Sequence, residues 1–344
     1  MAVKKELVKL NDQQLTLDAS QVSELYHKLT LELFDQVVDR LLERGSVSLA
    51  ENPYIWQLEK MNQMGLLNAD NVKLIAEYSG IAEKQLRQVI EGEGYKVYKT
   101  TRDQLAETLG ADDLDDNPEI QNNLASYANQ ALGDVNNLIN STLPESVRSV
   151  FQSVIEESVG KVVTGITTPE RALNDTIMKW FEKGFYGFID SQGKRWRADS
   201  YARTIIRSTV KRAFREMRTA PAKEFGIDTF YFSKKATARE ACAPLQHQIV
   251  TYGPQREENG ITILSMADHG YGTPAGCLGI NCGHDITPFV VGFNELPDLG
   301  PDVKDISPSE AIANANAQAK QRALERSIRD SKEKLHIANK LGDK

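Results

Sequence analysis

The sequence predicts a predominantly helical α+β protein: a helical N-terminal arm, a small loop-rich mixed α/β C-terminal domain and a long C-terminal helix. Three observations support this fold class. Apolar residues at helical spacing fill the first half, short β-rich runs divided by Gly, Pro and Asn precede the tail, and the tail is polar and rich in helix formers. We therefore expect a helical domain at 1–115, an α+β domain at 116–300 and a helical tail at 301–344.

The N-terminal arm is predicted from apolar side chains that recur every three to four positions between about residues 19 and 90. The face of the first helix comprises Leu25, Leu29, Leu33 and Val37, widened by Tyr26, Phe34, Val38 and Leu41. Gly45-Ser46 is expected to break this helix, and Gly80 and Gly92 are expected to separate shorter ones. These shorter helices are predicted at Pro53–Met64, Asn71–Tyr78 and Ala82–Ile90.

A linker and three further helices are predicted in the middle of the chain. Four aspartates and a proline at 110–118 suit a solvated linker. Helices are expected at about 119–140 and 145–160, separated by Ser141-Thr142-Leu143-Pro144. Thr168 is an N-cap residue and Pro169 fits the first helical position, so another helix should run from there to about Lys183.

The remaining elements are mostly short. Phe185–Gly193 predicts a strand that enters a turn, and a helix is expected at 199–218. Further strands are expected at Thr229–Ser233, Gln248–Tyr252, Ile261–Leu264 and Ile286–Val290. From Ser307 to about Ala338 the sequence predicts an exposed helix that leans on a partner or on other helices of the chain, because its apolar residues are sparse.

Composition and charge restrict the partners. The 344 residues are 40% hydrophobic and 26% charged, as in globular proteins, and the formal net charge of −7 gives no overall attraction to nucleic acid or anionic lipid. Any DNA contact must therefore be local. The N-terminus lacks the apolar run of a signal peptide, and no stretch approaches the ~20 apolar residues of a membrane-spanning helix. We expect a protein made and folded in cytosol, without a membrane partner.

The helix at 199–218 carries five cations at spacings of four, four, four and three, namely Arg203, Arg207, Lys211, Arg215 and Arg218. This basic stripe is a candidate contact for DNA phosphates or for an acidic partner. A second interpretation stays open, in which the cations pair with acidic residues of this net-negative chain or are simply solvated.

Three cysteines and a histidine form a candidate zinc site, because Cys242, Cys277, Cys282 and His284 offer four soft or borderline ligands. An odd number of cysteines in a reducing compartment also argues against structural disulfides. The spacing differs from common zinc patterns, so buried thiols and a hydrogen-bonded histidine are an open alternative, and His247 is an additional candidate ligand. A third hypothesis makes Cys282 or Cys242 a nucleophile activated by a histidine. Residues 270–276 are glycine-rich but fit a turn, so nucleotide binding is not predicted.

Residues 180–292 resemble the C-terminal region of the second family of phage minor capsid proteins, which is distantly similar to head morphogenesis proteins of Mu-like phages. The resemblance rests on an ordered set of motifs: Arg203-Thr204, Arg218-Thr219, Ser233, Ala238-Arg239, Cys242-Ala243-Pro244, Tyr271–Gly276, Gly279–His284 and Pro288-Phe289. The tail at 321–329 is also similar to the helix that ends many members. The sequence departs from the family at Leu245-Gln246-His247, where a Trp-Gln-Gly run is expected.

The resemblance implies a minor structural component of a phage head rather than an enzyme, with no catalytic residues and no small-molecule substrate. It implies a place inside the capsid near the portal, after assembly in the host cytoplasm, and a role in head assembly, DNA packaging or DNA ejection. The implied partners are the portal protein, the major capsid protein or both, with packaged DNA as a further candidate. The alternative is a zinc-stabilised nucleic-acid-binding module that uses the helix at 199–218. Zinc is the one cofactor that the residues suggest.

Overall fold

The computed structural model describes residues 12–43, 45–111, 117–137, 143–184, 186–189 and 195–342. Its α-helices are α1 (Asp12–Leu42), α2 (Gly45–Glu51), α3 (Pro53–Arg87), α4 (Gly94–Leu109), α5 (Pro118–Asn137), α6 (Leu143–Val163), α7 (Pro169–Lys183), α8 (Ala198–Glu224) and α9 (Pro308–Leu341). Its strands are β1 (Tyr186–Ile189), β2 (Arg195–Arg197), β3 (Thr229–Phe232), β4 (Ile249–Thr251), β5 (Arg256–Glu258), β6 (Ile261–Ser265) and β7 (Ile286–Pro288). The predicted fold class, α+β and predominantly helical, is confirmed.

The chain forms two compact units, each assembled from three separated segments. Within the described residues, the sheet unit comprises 12–18, Arg87–Ala128 and Arg207–Glu325. The helical unit comprises Ala19–Leu86, Asn129–Ile206 and the residues from Arg326 onward. The linear division at 1–115, 116–300 and 301–344 stays a prediction.

In the helical unit, the predicted face of α1 is buried except at Leu25, which is partly exposed. Leu29, Leu33, Val37 and Leu41 are each at most 1% exposed. Lys60, in α3, is also buried and donates from Nζ to the main-chain carbonyls of Arg40 and, at 2.7 Å, Glu43. The last carbonyls of a helix have no hydrogen-bond donor within the helix. The Lys60 ammonium group supplies donors to carbonyls at the C-terminal end of α1.

The predicted helix break at Gly45-Ser46 is confirmed, because α1 ends at Leu42 and α2 begins at Gly45. The predicted separations at Gly80 and Gly92 are wrong. Helix α3 continues through Gly80, and a π-helical turn at Gln88–Glu93 carries the chain through Gly92 into α4. A glycine inside a helix destabilises that helix by about 1 kcal/mol. Burial of one large apolar side chain stabilises the fold by more than this amount.

The sequence signals predict the start of α5 and both ends of α7 closely, but α4 is missing from the sequence prediction. Helix α4 ends before Gly110, which adopts the left-handed conformation, and α5 begins at Pro118. Thr168 caps α7, since its side chain accepts a hydrogen bond from the Arg171 N–H, and α7 ends at Lys183 as predicted. The aspartates at 112–116 and the residues Ser141-Thr142 lie outside the described residues.

The predicted strand after Lys183 is confirmed as β1, which pairs antiparallel with β2. Phe185 and the expected turn at 190–193 lie outside the described residues. The other sheet has the order β5-β6-β4-β3-β7, in which the β4–β6 pair is parallel and the other pairs are antiparallel. Strand β5 is missing from the sequence prediction, because Arg256-Glu257-Glu258 offers no apolar residue to mark an edge strand.

The two long helices of the C-terminal half match their predictions with one difference. Helix α8 extends beyond the predicted end at 218 to Glu224, passing through Pro221 in its last turn. Helix α9 begins after Ser307, which forms a capping box: its Oγ accepts the Glu310 N–H at 3.2 Å, and the Glu310 carboxylate accepts the Ser307 N–H at 2.8 Å. Among the described residues, no helix is both long and apolar enough to cross a membrane.

Candidate functional site

The candidate site lies beside the ends of three strands of the five-stranded sheet, where β3 ends and where β4 and β7 begin. Strand β3 ends at Phe232, which pairs with Ile286 at the start of β7, and the preceding residue Tyr231 pairs with Ile249 at the start of β4. The loop before β4 and the loop before β7 therefore meet next to the end of β3. The first loop carries Cys242, and the second carries Cys277, Cys282 and His284.

Three of the four predicted metal ligands converge there. The Sγ atoms of Cys242 and Cys282 are 3.5 Å apart, and the Sγ atom of Cys282 is 3.5 Å from Nδ1 of His284. All three ligand atoms lie within 4.8 Å of one another. The side chains are buried, with exposed fractions of 0%, 3% and 2% for Cys242, Cys282 and His284. This cluster is called the CCH cluster below.

The imidazole of His284 is oriented by hydrogen bonding on the side away from the sulfurs. Its Nε2 is 3.2 Å from Oε1 of Gln246, and this oxygen also accepts the main-chain N–H of Lys235 at 2.6 Å. Because Oε1 accepts hydrogen bonds, Nε2 carries the proton and donates it. Nδ1 is then the unprotonated nitrogen, and its lone pair faces the Cys242 and Cys282 thiols.

Hydrogen bonds make the two cysteines of the cluster unequal. The Cys242 thiol donates to Cys282, which lowers the pKa of Cys282, and His284 lowers it further against the opposing effect of burial. The same hydrogen bond, together with burial, raises the pKa of Cys242. The shared hydrogen bond therefore makes Cys282 the more acidic of the two thiols and Cys242 the less acidic one.

Cationic side chains from α8 hold the second loop in place. Lys211 donates to the Cys282 carbonyl at 2.8 Å, and Arg215 donates to the Leu278 carbonyl at 2.9 Å. Burial acts to raise the pKa of Asp285, but the charges of Arg218, Lys235, Lys211 and Arg215 together outweigh it and hold that pKa below its usual value. Burial lowers the pKa of Lys211. The loop is thus surrounded by positive charge, which favours anionic sulfur.

The other two candidate ligands lie elsewhere. The Cys277 thiol donates to the Met266 carbonyl at 3.5 Å, and its pKa is raised to about 11, mainly by burial and in part by the charge of Cys282. His247 pairs through Nδ1 with the Tyr231 hydroxyl at 3.1 Å. Within the described residues, neither joins the converging group of Cys242, Cys282 and His284.

The basic stripe does not form one continuous surface of free cations. Arg203 lies 3.6 Å from Glu24, within the helical unit. Lys211 and Arg215 are occupied by the carbonyls described above, and Arg218 is only 3% exposed. These contacts match the interpretation in which the cations interact with other groups of this chain. Contact of the stripe with DNA or an acidic partner stays a prediction.

Sequence reasoning missed the residues that position the cluster, namely Gln246, Lys235 and Asp285. Asp285 directly follows the Cys282-Gly283-His284 motif, so its position was a usable signal. Gln246 lies in the Leu245-Gln246-His247 segment, in which His247 is the residue type that commonly binds metal. Only the pairing of β3 with β4 and β7 brings Gln246 next to His284.

Comparisons with known proteins give the family. The sequence profile of the family named Phage minor capsid protein 2 matches residues 10–344 of this chain. The chain belongs to this phage minor capsid protein 2 family. The resemblance found in the sequence is thereby confirmed, and the matched region extends well beyond the motifs at 180–292.

Two relatives of this minor capsid protein come from phages. The chain is 30% identical over 334 residues to a structural protein of Lactococcus phage LL-H, covering 93% of this chain and 88% of that protein. It is 41% identical over 79 residues to a structural protein of Lactococcus phage mv4, covering 23% of this chain and 60% of that protein. No solved structure shows a significant match.

Proposed function

We propose that this minor capsid protein is bound inside the phage head near the portal and acts in head assembly, DNA packaging or DNA ejection. It does so through contacts with the portal protein, the major capsid protein or both, and not by catalysis. Family membership supports the head as its place of action. One structural observation supports action through protein contacts, namely an apolar face of α3 that the fold leaves exposed.

Helix α3 is apolar on two sides. Trp56, Leu67 and Ile75 are at most 3% exposed and form its inner side. The other side carries large apolar residues that are each more than half exposed: Tyr54, Ile55, Leu58, Leu66 and Val72. At 3.6 residues per turn, Tyr54, Leu58 and Val72 lie opposite Trp56 and Leu67. We call the five exposed residues the α3 face.

Such a face indicates a partner. A helix with one buried side normally carries polar residues on its other side. A group of large exposed apolar residues such as the α3 face is typical of a protein interaction site, although exposed Asn62 interrupts it. The net charge of −7 and the engagement of Lys211 and Arg215 within the chain favour a protein partner over DNA. The α3 face lies entirely in the helical unit.

The first experiment tests direct binding. The tagged chain is co-expressed with the portal protein alone, and separately with the major capsid protein alone, from the same phage. We expect stoichiometric co-purification with at least one of them. The double variant Leu58→Asp/Leu66→Asp should lose it, because a charge placed in an apolar interface must be desolvated. The control is Ile166→Asp, a change at a 74% exposed apolar residue outside α3.

Two outcomes would contradict the binding proposal. One is the absence of a complex with either head protein. The other is a complex that Leu58→Asp/Leu66→Asp and Ile166→Asp leave equally intact, since the α3 face would then not be the contact. DNA binding that weakens steeply with salt and is lost in Arg207→Ala would favour the nucleic-acid-binding alternative instead.

The second experiment tests the location. Phage particles carrying a tagged copy are treated with protease before and after the heads are opened. Protection in intact heads and cleavage in opened heads are expected for a protein inside the capsid. Cleavage in intact particles, or absence of the protein from purified particles, would overturn the proposed place.

A further inference from the structure

We infer that the CCH cluster is a zinc site, in which Sγ of Cys242, Sγ of Cys282 and Nδ1 of His284 bind one Zn²⁺ ion. Cys277 and His247 are not ligands. The site ties the loop before β4 to the loop before β7. This inference is independent of the proposed role in the head.

The spacing of the ligand atoms suits three of the four positions of a tetrahedral ion, which leaves the fourth position to a water molecule or another small ligand. Zinc lies about 2.3 Å from a thiolate sulfur and about 2.0–2.1 Å from an imidazole nitrogen. Two sulfurs on one tetrahedral zinc ion are therefore roughly 3.8 Å apart, and a sulfur and a nitrogen roughly 3.5 Å apart. The observed distances are 3.5 Å for both pairs. For these two pairs a zinc ion requires adjustments of only a few tenths of an ångström, and the third pair, Sγ of Cys242 and Nδ1 of His284, lies within 4.8 Å.

The neighbours of the cluster are arranged as around a metal ligand. A metal-bound histidine usually donates its other ring N–H to an acceptor, which fixes the tautomer and the ring orientation. Gln246 supplies this acceptor and is itself fixed by the Lys235 N–H.

Main-chain N–H groups point at both sulfurs. The His284 N–H donates to Sγ of Cys282 at 3.5 Å, and the main chain of Leu278 hydrogen-bonds to Cys242. Leu278 and Asn281 have φ angles of 56° and 60°, in the left-handed region that non-glycine residues rarely adopt. Such backbone persists only where surrounding contacts impose it, and a bound ion would be one such contact.

The chemistry of the donors selects the class of ion. Two sulfurs and an imidazole are soft or borderline ligands that suit zinc, whereas magnesium and calcium take oxygen ligands. The strands of this sheet are only three to five residues long. A bound ion that joins the two loops would therefore add to the stability of the sheet unit.

The experiment measures metal in the full-length protein. The chain and its variants are produced in zinc-supplemented medium, purified under reducing conditions and subjected to elemental analysis. We expect one zinc ion per chain in the wild type and in the controls Cys277→Ser and His247→Ala. Zinc should fall by roughly tenfold or more in Cys242→Ser, Cys282→Ser and His284→Ala. Gln246→Ala should weaken zinc affinity by about 10–100-fold, because it removes the acceptor that orients His284.

A measurement on the wild type keeps the test decisive if the variants do not fold. Zinc is replaced by Co²⁺, whose thiolate charge-transfer absorption reports sulfur ligands, and thiol alkylation is mapped by mass spectrometry with and without a chelator. Protection of Cys242 and Cys282 that the chelator removes is expected. A wild type without zinc or cobalt absorption, a Cys242–Cys282 disulfide in the reduced preparation, or loss of zinc in Cys277→Ser would overturn the assignment.

Discussion

The Nζ atom of Lys211 donates a 2.8 Å hydrogen bond to the main-chain carbonyl of Cys282, 71 positions later in the chain. The contact joins the basic helix to the loop that carries the thiols, two features that the sequence presents as separate candidate sites. The hydrogen bond holds the cation at this carbonyl, where it supports the geometry of the CCH cluster.

Replacing Lys211 should therefore destabilise the sheet unit. Lys211→Met keeps most of the apolar stem but leaves the Cys282 carbonyl without its donor, which costs about 1–3 kcal/mol when the acceptor is buried. The free energy of unfolding from urea titration measures the effect. Lys223→Met, at an exposed position of the same helix, should stay within about 0.5 kcal/mol of the wild type. Equal effects of the two changes would show that the hydrogen bond contributes nothing specific.

Gly276→Ala should disrupt the loop that precedes β7. A Cβ atom at this position would lie 1.8 Å from the Gly270 carbonyl oxygen, which belongs to the main chain and cannot rotate away. We expect a loss of stability of at least about 1–3 kcal/mol, together with weaker metal binding if the cluster holds zinc. The control is Gly253→Ala, where the nearest atom is 3.7 Å away. A wild-type thermal midpoint for Gly276→Ala would mean that the loop takes a different path.

Glu157 gives the helical unit a pH-dependent contribution to stability. Burial acts to raise the pKa of Glu157, but hydrogen bonds from Lys179, Lys161 and Trp180 hold it below its usual value. A lowered folded-state pKa stabilises the fold above the unfolded-state pKa of about 4.3, and this contribution disappears as the pH falls through the folded value.

The corresponding variant is Glu157→Gln. At pH 7 it should lose about 1 kcal/mol or less, because the ion pairs with Lys179 and Lys161 are partly exposed. The difference from the wild type should shrink below about pH 4. Chemical denaturation at several pH values measures it, with Asp175→Asn as an exposed control in α7. A difference that persists unchanged at acid pH would mean that the charge of Glu157 is irrelevant.

Ser307→Ala should weaken the start of α9. The change removes the side-chain acceptor of the Glu310 N–H, and loss of an N-cap serine typically costs about 1 kcal/mol. Ser327→Ala, at an exposed interior position of the same helix, should be neutral or slightly stabilising because alanine is the better helix former. Urea denaturation of both variants makes the comparison, and indistinguishable midpoints would argue against the capping box.

Features that depend on neighbours in the sequence were predictable. Thr168 and Pro169 start α7 as expected, because the capping hydrogen bond joins residues only three positions apart. The buried face of α1 follows from spacing alone, and so does the presence of α9. Features that depend on distant partners were not. The sequence predicts a helix end near Gly80, but burial elsewhere in α3 outweighs the local penalty of the glycine.

The sequence by itself was enough to predict a helical first half and a mixed α/β second half. It also provided the candidate cysteine and histidine ligands and the motifs that identify the family. Only the tertiary structure decided which of these groups meet. Cys242 contacts Cys282, 40 positions away, whereas Cys277, five positions from Cys282, turns to the Met266 carbonyl. The reason is physical: strand pairing at β3 fixes where the two loops meet, and no spacing along the chain encodes that distance.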